Sequence, residues 1–194
     1  MSVEDVGPFV SKLRAMVAEI QNLPMPTIAA LDGTAVGGGL EMALDGCDMR
    51  IAADTDQDGP VVETKIWQLI PGGGGTQNLP RLIGKAKAKE LIFTGRVLDG
   101  VQAHSVGLVN DVVEQNRDGD AAYRRAVQLA CEILPQGPVA VRMAKLAIDK
   151  GLEVDLSTGL AIEQACYAQV IPTKDRVEGL SAFKEKRPPV YKGE

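Results

Sequence analysis

The chain has 194 residues, of which 45% are hydrophobic and 24% are charged, a composition typical of a globular protein. Its formal net charge of −5, from 21 basic and 26 acidic residues, disfavours a dedicated nucleic-acid-binding surface. Three scattered cysteines and a single histidine, His104, suggest neither a disulfide framework nor a metal site, and no run of 18 apolar residues predicts a membrane-spanning helix.

The first part of the chain alternates helix, strand and glycine turn. Apolar residues recur at three- and four-residue steps from Val6 to Ile20. This spacing predicts a helix over about residues 4–22 that packs inward through one stripe. Further predicted elements are a buried strand at 27–33, a short helix at 40–44 and a strand at 48–53. The alternation predicts an α/β fold with crossover connections.

The second part, from Thr76 onward, is mostly helical in pattern. Helices are predicted over 121–134, 138–150, 156–170 and 173–186. Pro138 suits the first turn of one helix, and Pro188-Pro189 ends the last. We predict a core of residues 1–118 that carries the site, and a helical region of residues 119–194.

The segment Gly37-Gly38-Gly39-Leu40-Glu41 follows a predicted buried strand and begins a helix. Without Cβ atoms, backbone N–H groups there can face an incoming oxygen, which is how an oxyanion hole is built. The alternative is a tight turn whose glycines serve only packing.

A second carboxylate, Glu63, lies beyond the next strand. Two glutamates that face one small space can hold a water between them, one as base and the other as acid. The alternative for Glu63 is a solvated charge at a strand edge.

Two further segments resemble loops that bind phosphate or calcium, but each lacks a residue that such a loop needs. The glycine turn Pro71–Gln77 lacks the Gly-Lys-Ser/Thr of a phosphate loop, and neither glycine run fits a dinucleotide fingerprint. Asp54–Gly59 begins like a calcium loop, but its twelfth position is Lys65, where a bidentate Glu is needed. An exposed acidic turn is therefore favoured over calcium binding.

Taken in order, several segments resemble the crotonase (enoyl-CoA hydratase/isomerase) superfamily over nearly the whole chain. They are IAALDGTAVGGGLEMAL, VETK, IPGGGGTQNLPRLIG, AKELIFTGR, AHSVGLVN and DRVEGLSAFKEKRPP. A narrower resemblance is to mitochondrial members that hydrate 3-methylglutaconyl-CoA in leucine degradation. The resemblance implies a ββα spiral followed by a helical trimerisation region.

The resemblance also implies a chemistry and a site. The expected substrate is an acyl-CoA thioester, with no cofactor beyond that coenzyme A, self-association to a trimer or hexamer, and a mitochondrial matrix location. Glu41 and Glu63 match the two catalytic carboxylates, as water activator and Cα acid/base, and Gly38 matches the oxyanion-hole glycine. The implied substrate-binding residues are Gly37, Gly72, Gly73, Gly74 and Trp67, and the implied CoA contacts are Phe183 and Lys186. Both carboxylates together favour a hydro-lyase.

Two departures from the family pattern accompany this resemblance. The family domain is expected to begin upstream of Met1, with a second oxyanion N–H and much of the CoA site. An alternative hypothesis is therefore a catalytically weak or silent assembly or regulatory subunit. The segment between the two glutamates is about two residues longer than usual, around Asp45-Gly46 and Pro60-Val61, which would misplace Glu63 unless a bulge or slack in a loop absorbs the excess. Neither RNA nor a membrane is an expected partner.

Overall fold

The computed structural model describes residues 2–54 and 70–194, and between them only the backbone of Val62 and Glu63. The chain forms two compact units. The first comprises Met1–Leu23 and Thr27–Gln128, and the second comprises Pro24–Pro26 and Leu129–Glu194. The assignment of the site to residues 1–118 and of assembly to residues 119–194 stays a prediction.

Helices and strands alternate along the first unit. They are α1 (Val3–Gln21), β1 (Ile28–Leu31), β2 (Ala35–Val36), α2 (Gly37–Glu41), a π-helical segment (Met42–Gly46), β3 (Met49–Asp54), β4 (Val62–Glu63), α3 (Gly75–Ile83), α4 (Lys85–Thr94), β5 (Val97–Leu98), α5 (Gly100–Ser105), β6 (Asp111–Glu114) and α6 (Ala121–Ile133), which continues into the second unit. The predicted first helix and the strands at 27–33 and 48–53 are confirmed. The helix predicted at 40–44 begins earlier, at Gly37, and changes from α-helical to π-helical winding after Glu41. Strand β6 was not predicted.

Two small sheets form the centre of this unit. One has the order β1-β3-β6, and both of its pairs are parallel. The other has the order β2-β4-β5, in which β4 runs parallel to β2 and antiparallel to β5. Ile51, Ala52 and Ala53 of β3 are fully buried because this strand is central and covered on both faces. The predicted α/β fold is thus confirmed.

Helix α1 begins with a capping box, in which Ser2 and Asp5 satisfy each other's backbone N–H groups. Val17 in its apolar stripe is buried. Phe9 is 53% exposed, however, so the prediction that the whole stripe packs inward is wrong at its N-terminal end. There the stripe faces a cavity, as described below.

The π-helical segment Met42–Gly46 directly follows Glu41. A π-helix is wound more widely than an α-helix, so one such turn accommodates an additional residue without breaking the helix. The buried guanidinium of Arg50 stabilises the end of the segment, since it donates to the carbonyl oxygens of Cys47 (2.9 Å) and Leu108 (2.9 Å). The longer sequence around Asp45-Gly46 is therefore absorbed by a helix of different pitch.

The carboxylate of Asp32 joins the end of β1 to the start of α6. It accepts hydrogen bonds from the backbone N–H groups of Ala122 (2.7 Å) and Tyr123 (2.9 Å). The first N–H groups of a helix have no intrahelical partner, so a carboxylate from another element replaces the usual cap.

The second unit contains α7 (Pro138–Gly151), α8 (Leu156–Val170) and α9 (Lys174–Glu185), which confirms the predicted helices. Helices α7 and α8 approach closely where Gly151 meets Gly159, since a Cβ on Gly159 would lie 3.2 Å from the Gly151 carbonyl oxygen. Asp175 accepts hydrogen bonds from the N–H groups of Lys192 and Gly193, which returns the C-terminal residues to the start of α9. A trimerisation role for these helices stays a prediction.

Within the described residues, no helix has the length and apolar character needed to cross a membrane.

Candidate active site

Glu41 lies at the end of α2 with its side chain buried, 7% exposed. Its Oε1 atom accepts hydrogen bonds from the backbone N–H groups of Gly73 (2.8 Å) and Gly75 (3.0 Å). Gly75 is the first residue of α3, and the N-terminal end of a helix favours a negative charge. The structure therefore brings the predicted carboxylate and the predicted second glycine turn together.

Two glycines of this turn leave no space for a side chain. A Cβ on Gly73 would lie 2.7 Å from Oε2 of Glu41. Gly74 has a φ of +136°, and a Cβ there would lie 2.2 Å from Oδ2 of Asp45. The chain passes between the two carboxylates so closely that only glycine fits at both positions.

The first glycine turn provides the backbone at the start of α2. Gly37 has a φ of +50°, a conformation that side chains disfavour, and it carries the chain from β2 into the helix. The N–H groups of the first helical turn, among them that of Gly38, have no acceptor within the helix. Gly38 lines the same cavity as Glu41, so its backbone and the carboxylate face one space.

That space is a cavity of about 640 Å³ with mostly apolar walls. The cavity-lining side chains of α1 are Phe9, Val10, Lys12, Leu13 and Met16. Gly38, Glu41, Gly72 and Gly73 line it as well, together with Met42 and Ile70. Sequence reasoning missed α1 as a wall because an apolar stripe has the same spacing whether it faces a core or a pocket.

Arg14 is a second residue that the sequence did not reveal. Its Nε donates a 2.7 Å hydrogen bond to the carbonyl oxygen of Gly72, which ties α1 to the glycine turn. A basic residue beside an apolar stripe is a weak signal, since most such residues are solvated.

Only the backbone of Glu63 is described. It pairs with Val36, the residue before Gly37, and so β4 runs beside the first glycine turn. The side chain of Glu63, the whole of Trp67 and residues 55–59 of the acidic loop lie outside the described residues. At the start of that loop, Oδ1 of Asp54 accepts a hydrogen bond from Gly100 N–H (3.0 Å).

Asp45 is a buried carboxylate that sequence reasoning did not assign to the site. It is 7% exposed, and neither of its oxygens has a hydrogen-bond partner of good geometry among the described residues. Burial raises the pKa of Asp45 to about 6. The nearby amide of Asn78 lowers this pKa, the charge on Glu41 raises it, and the charge on Arg50 lowers it. The sequence signal that could have indicated a buried Asp45 is its position next to the apolar residues of EMALDG.

The two residues predicted to contact CoA, Phe183 and Lys186, lie at the C-terminal helix α9. Phe183 on α9 is 85% exposed, and Lys186 ends that helix with a φ of +55°. Their contact with CoA stays a prediction. Across the part of the chain that the structure describes, no three His, Cys, Asp or Glu side chains cluster as a metal site would require.

The chain matches the family model described as enoyl-CoA hydratase/isomerase over residues 4–194. It is 68% identical over 194 residues to human mitochondrial methylglutaconyl-CoA hydratase, covering all of this chain and 56% of that protein. It is 59% identical over 193 residues to mouse mitochondrial enoyl-CoA hydratase domain-containing protein 2, covering 64% of it. The chain thus spans little more than half to about two thirds of the length of these curated relatives.

Solved structures show the same fold. An enoyl-CoA hydratase from Bacillus anthracis superposes with a TM-score of 0.90 at 47% identity, covering all of this chain and 72% of that one. A second from Geobacillus kaustophilus gives a TM-score of 0.89 at 32% identity, covering 71% of that chain.

Proposed function

The chain belongs to the enoyl-CoA hydratase/isomerase family, and from that premise we propose that it is a hydro-lyase which adds water to the double bond of a 2-enoyl-CoA thioester. The observation that carries the proposal is the Glu41 carboxylate, buried at an apolar cavity and held by the N–H groups of Gly73 and Gly75. Such a site keeps one carboxylate in a fixed position beside an apolar surface that can receive an acyl group.

The proposed roles follow from where charge develops during the reaction. Water oxygen forms a bond to Cβ of the enoyl group while Glu41 takes a water proton, and Oε2 is the oxygen that Gly73 and Gly75 leave for this purpose. The π electrons move onto the thioester oxygen, where the N–H of Gly38 would stabilise them; one such donor contributes about 3–4 kcal/mol to the transition state. Protonation at Cα by Glu63 completes the addition.

The two carboxyl groups then exchange one proton. Glu63 begins protonated and ends ionised, whereas Glu41 begins ionised and ends protonated, so the net change in the substrate is the addition of one water. Proton return through the shared water or solvent resets the pair.

We further propose 3-methylglutaconyl-CoA as the substrate and mitochondria as the location. Support comes from the human and mouse relatives, which are both named as mitochondrial proteins and the first of which is named a methylglutaconyl-CoA hydratase. The cavity wall formed by Phe9, Val10 and Leu13 suits an acyl group, because these side chains are apolar.

Self-association to a trimer or hexamer is part of the proposal. The second unit presents strongly exposed apolar side chains, with Leu134, Leu152, Leu156 and Phe183 each more than 75% exposed. Large exposed apolar surface is typical of protein interfaces. Sedimentation of the wild-type chain against Leu156→Asp tests this, and a monomer at all concentrations would contradict it.

The activity itself is tested by incubating the chain with crotonyl-CoA and 3-methylglutaconyl-CoA in isotopically labelled water. The expected products are the 3-hydroxyacyl-CoA thioesters with labelled oxygen at Cβ, and a faster reaction with the branched substrate. Incorporation of solvent deuterium at Cα without any oxygen would indicate an isomerase instead. Absence of product at high protein concentration would contradict the hydratase proposal for this chain.

A further inference from the structure

Asp45 contacts the glycine turn at Gly74. Its Oδ2 would lie 2.2 Å from a Cβ on Gly74, so the carboxylate packs directly against the backbone of that residue. Among the described residues that line the cavity are Glu41 and Gly73, whereas Asp45 is not one of them. Asp45 is therefore placed to act on the turn rather than at the described cavity surface.

The turn is held between two carboxylates. Glu41 accepts hydrogen bonds from the N–H groups of Gly73 and Gly75, and Asp45 contacts Gly74, the residue between them. Any displacement of Gly74 by Asp45 moves both hydrogen-bond donors of Glu41. The two carboxylates are thus mechanically linked through three consecutive glycines.

The groups around Asp45 come from each element packed against it. Glu41 of α2 repels its charged form, Arg50 of β3 attracts it, and the amide of Asn78 on α3 stabilises it. Helix α1 packs beside the next residue, Gly46, where an added Cβ would lie 3.4 Å from the side chain of Ile20. Arg50 donates to Leu108, Ala43, Leu44 and Cys47, and none of those hydrogen bonds goes to Asp45.

We propose that Asp45 is a positioning residue for Glu41: its ionisation state sets the placement of the Gly73–Gly75 backbone and, through it, of the catalytic carboxylate. The relevance to catalysis rests on the proposed function, but the coupling itself does not. Neutral Asp45 packs against Gly74 without a desolvated charge. Ionised Asp45 carries a largely desolvated charge beside Glu41, only partly offset by Asn78 and Arg50, and the least costly response is movement of the turn.

The two ionisation states are populated near neutral pH. Because burial raises the pKa of Asp45 to about 6, the neutral form dominates at pH 5 and the ionised form at pH 7.5. Glycine backbone, with its wide conformational range, allows the turn to respond without breaking α3.

The experiment is an NMR titration of the backbone amides of Gly73, Gly74 and Gly75 in the full chain between pH 5 and 7.5. The wild-type protein is expected to show a chemical-shift step with a midpoint near pH 6. Asp45→Asn removes the step, while the matched control Asp118→Asn, on the exposed surface, leaves it unchanged. A step that persists in Asp45→Asn, or no step in the wild-type protein, would overturn the proposal.

Two further variants shift the midpoint in opposite directions. Glu41→Gln removes a repelling charge and is expected to lower it, and Asn78→Ala removes a stabilising amide and is expected to raise it. These shifts keep the proposal testable if Asp45→Asn fails to fold. An unchanged midpoint in both variants would show that the titrating group is not Asp45.

Activity provides the second readout. The wild-type profile of kcat/KM on crotonyl-CoA is expected to have an inflection at the NMR midpoint, absent from Asp45→Asn. A protein with no hydratase activity but with the amide step would refute the proposed function and retain the coupling. Full activity with no inflection would refute the positioning role and retain the function.

Discussion

The backbone N–H of Gly73 donates a 2.8 Å hydrogen bond to Oε1 of Glu41, although the two residues are 32 positions apart in the chain. The same glycine would place a Cβ 2.7 Å from the other oxygen of that carboxylate. A single residue therefore both holds Glu41 and requires that no side chain be present.

Gly73→Ala is expected to lower kcat for enoyl-CoA hydration by about 10- to 100-fold, because the added methyl group displaces the Glu41 carboxylate from its position. Far-ultraviolet circular dichroism should stay unchanged. The matched control is Gly33→Ala, where a Cβ meets nothing within 4 Å and φ is not positive. Equal losses in the two variants would contradict the steric explanation.

Asp45→Asn is expected to raise the free energy of unfolding by about 2 kcal/mol at pH 8 and to leave it nearly unchanged at pH 4. The pKa of Asp45 is raised in the folded protein to about 6, so the wild-type protein loses stability as pH rises from about 4 through 6. The amide cannot ionise and escapes this loss. Urea unfolding at both pH values measures the difference, and a variant less stable than wild type at pH 8 would contradict it.

Arg50→Met is expected to lower the free energy of unfolding by about 3 kcal/mol or more, since the buried carbonyl oxygen of Leu108 and the half-buried one of Cys47 lose their donor. Arg124→Gln is the control. Among the described residues, Arg124 forms ion pairs with the exposed Asp118 and the half-buried Asp120, and ion pairs at the surface contribute at most about 1 kcal/mol. Chemical denaturation that gave the two variants equal stability would contradict the prediction.

Asp32→Ala is expected to destabilise the chain by about 1–2 kcal/mol, because the N–H groups of Ala122 and Tyr123 lose their acceptor at the start of α6. Asp32→Asn keeps an acceptor oxygen and should lose much less. Thermal unfolding of both variants compares them. A larger loss for Asn than for Ala would show that the capping interpretation is wrong.

The sequence predicted the long elements well. Periodic apolar residues located α1 and the helices of the second unit, and continuous apolar runs located β1 and β3, because each pattern extends over several residues. Strand β6 is charged at both ends, Asp111 and Glu114, so it lacks the continuous apolar run that located β1. Its place in the sheet depends on pairing with β3, which is a tertiary property.

The site was predicted in part, and through motifs rather than periodicity. Glu41 and the glycine turn Gly72–Gly75 were identified from the family resemblance, and the structure brings them into hydrogen-bond contact. The π-helical winding has no local sequence pattern that predicts it. The acidic residue in EMALDG was a signal for Asp45, but its burial depends on contact with Gly74, which is distant in sequence. Arg14 was missed because a basic residue beside an apolar stripe is a weak signal.

The central claim is that Glu41 performs a proton transfer in hydration, and one comparison tests it most directly. The rate of crotonyl-CoA hydration is measured for the wild-type chain, for Glu41→Gln, and for the control Glu19→Gln, which changes an exposed carboxylate on α1. The account predicts that Glu41→Gln lowers kcat by about 10²- to 10⁴-fold while Glu19→Gln stays at the wild-type rate. Near-wild-type turnover by a folded Glu41→Gln variant would contradict the account.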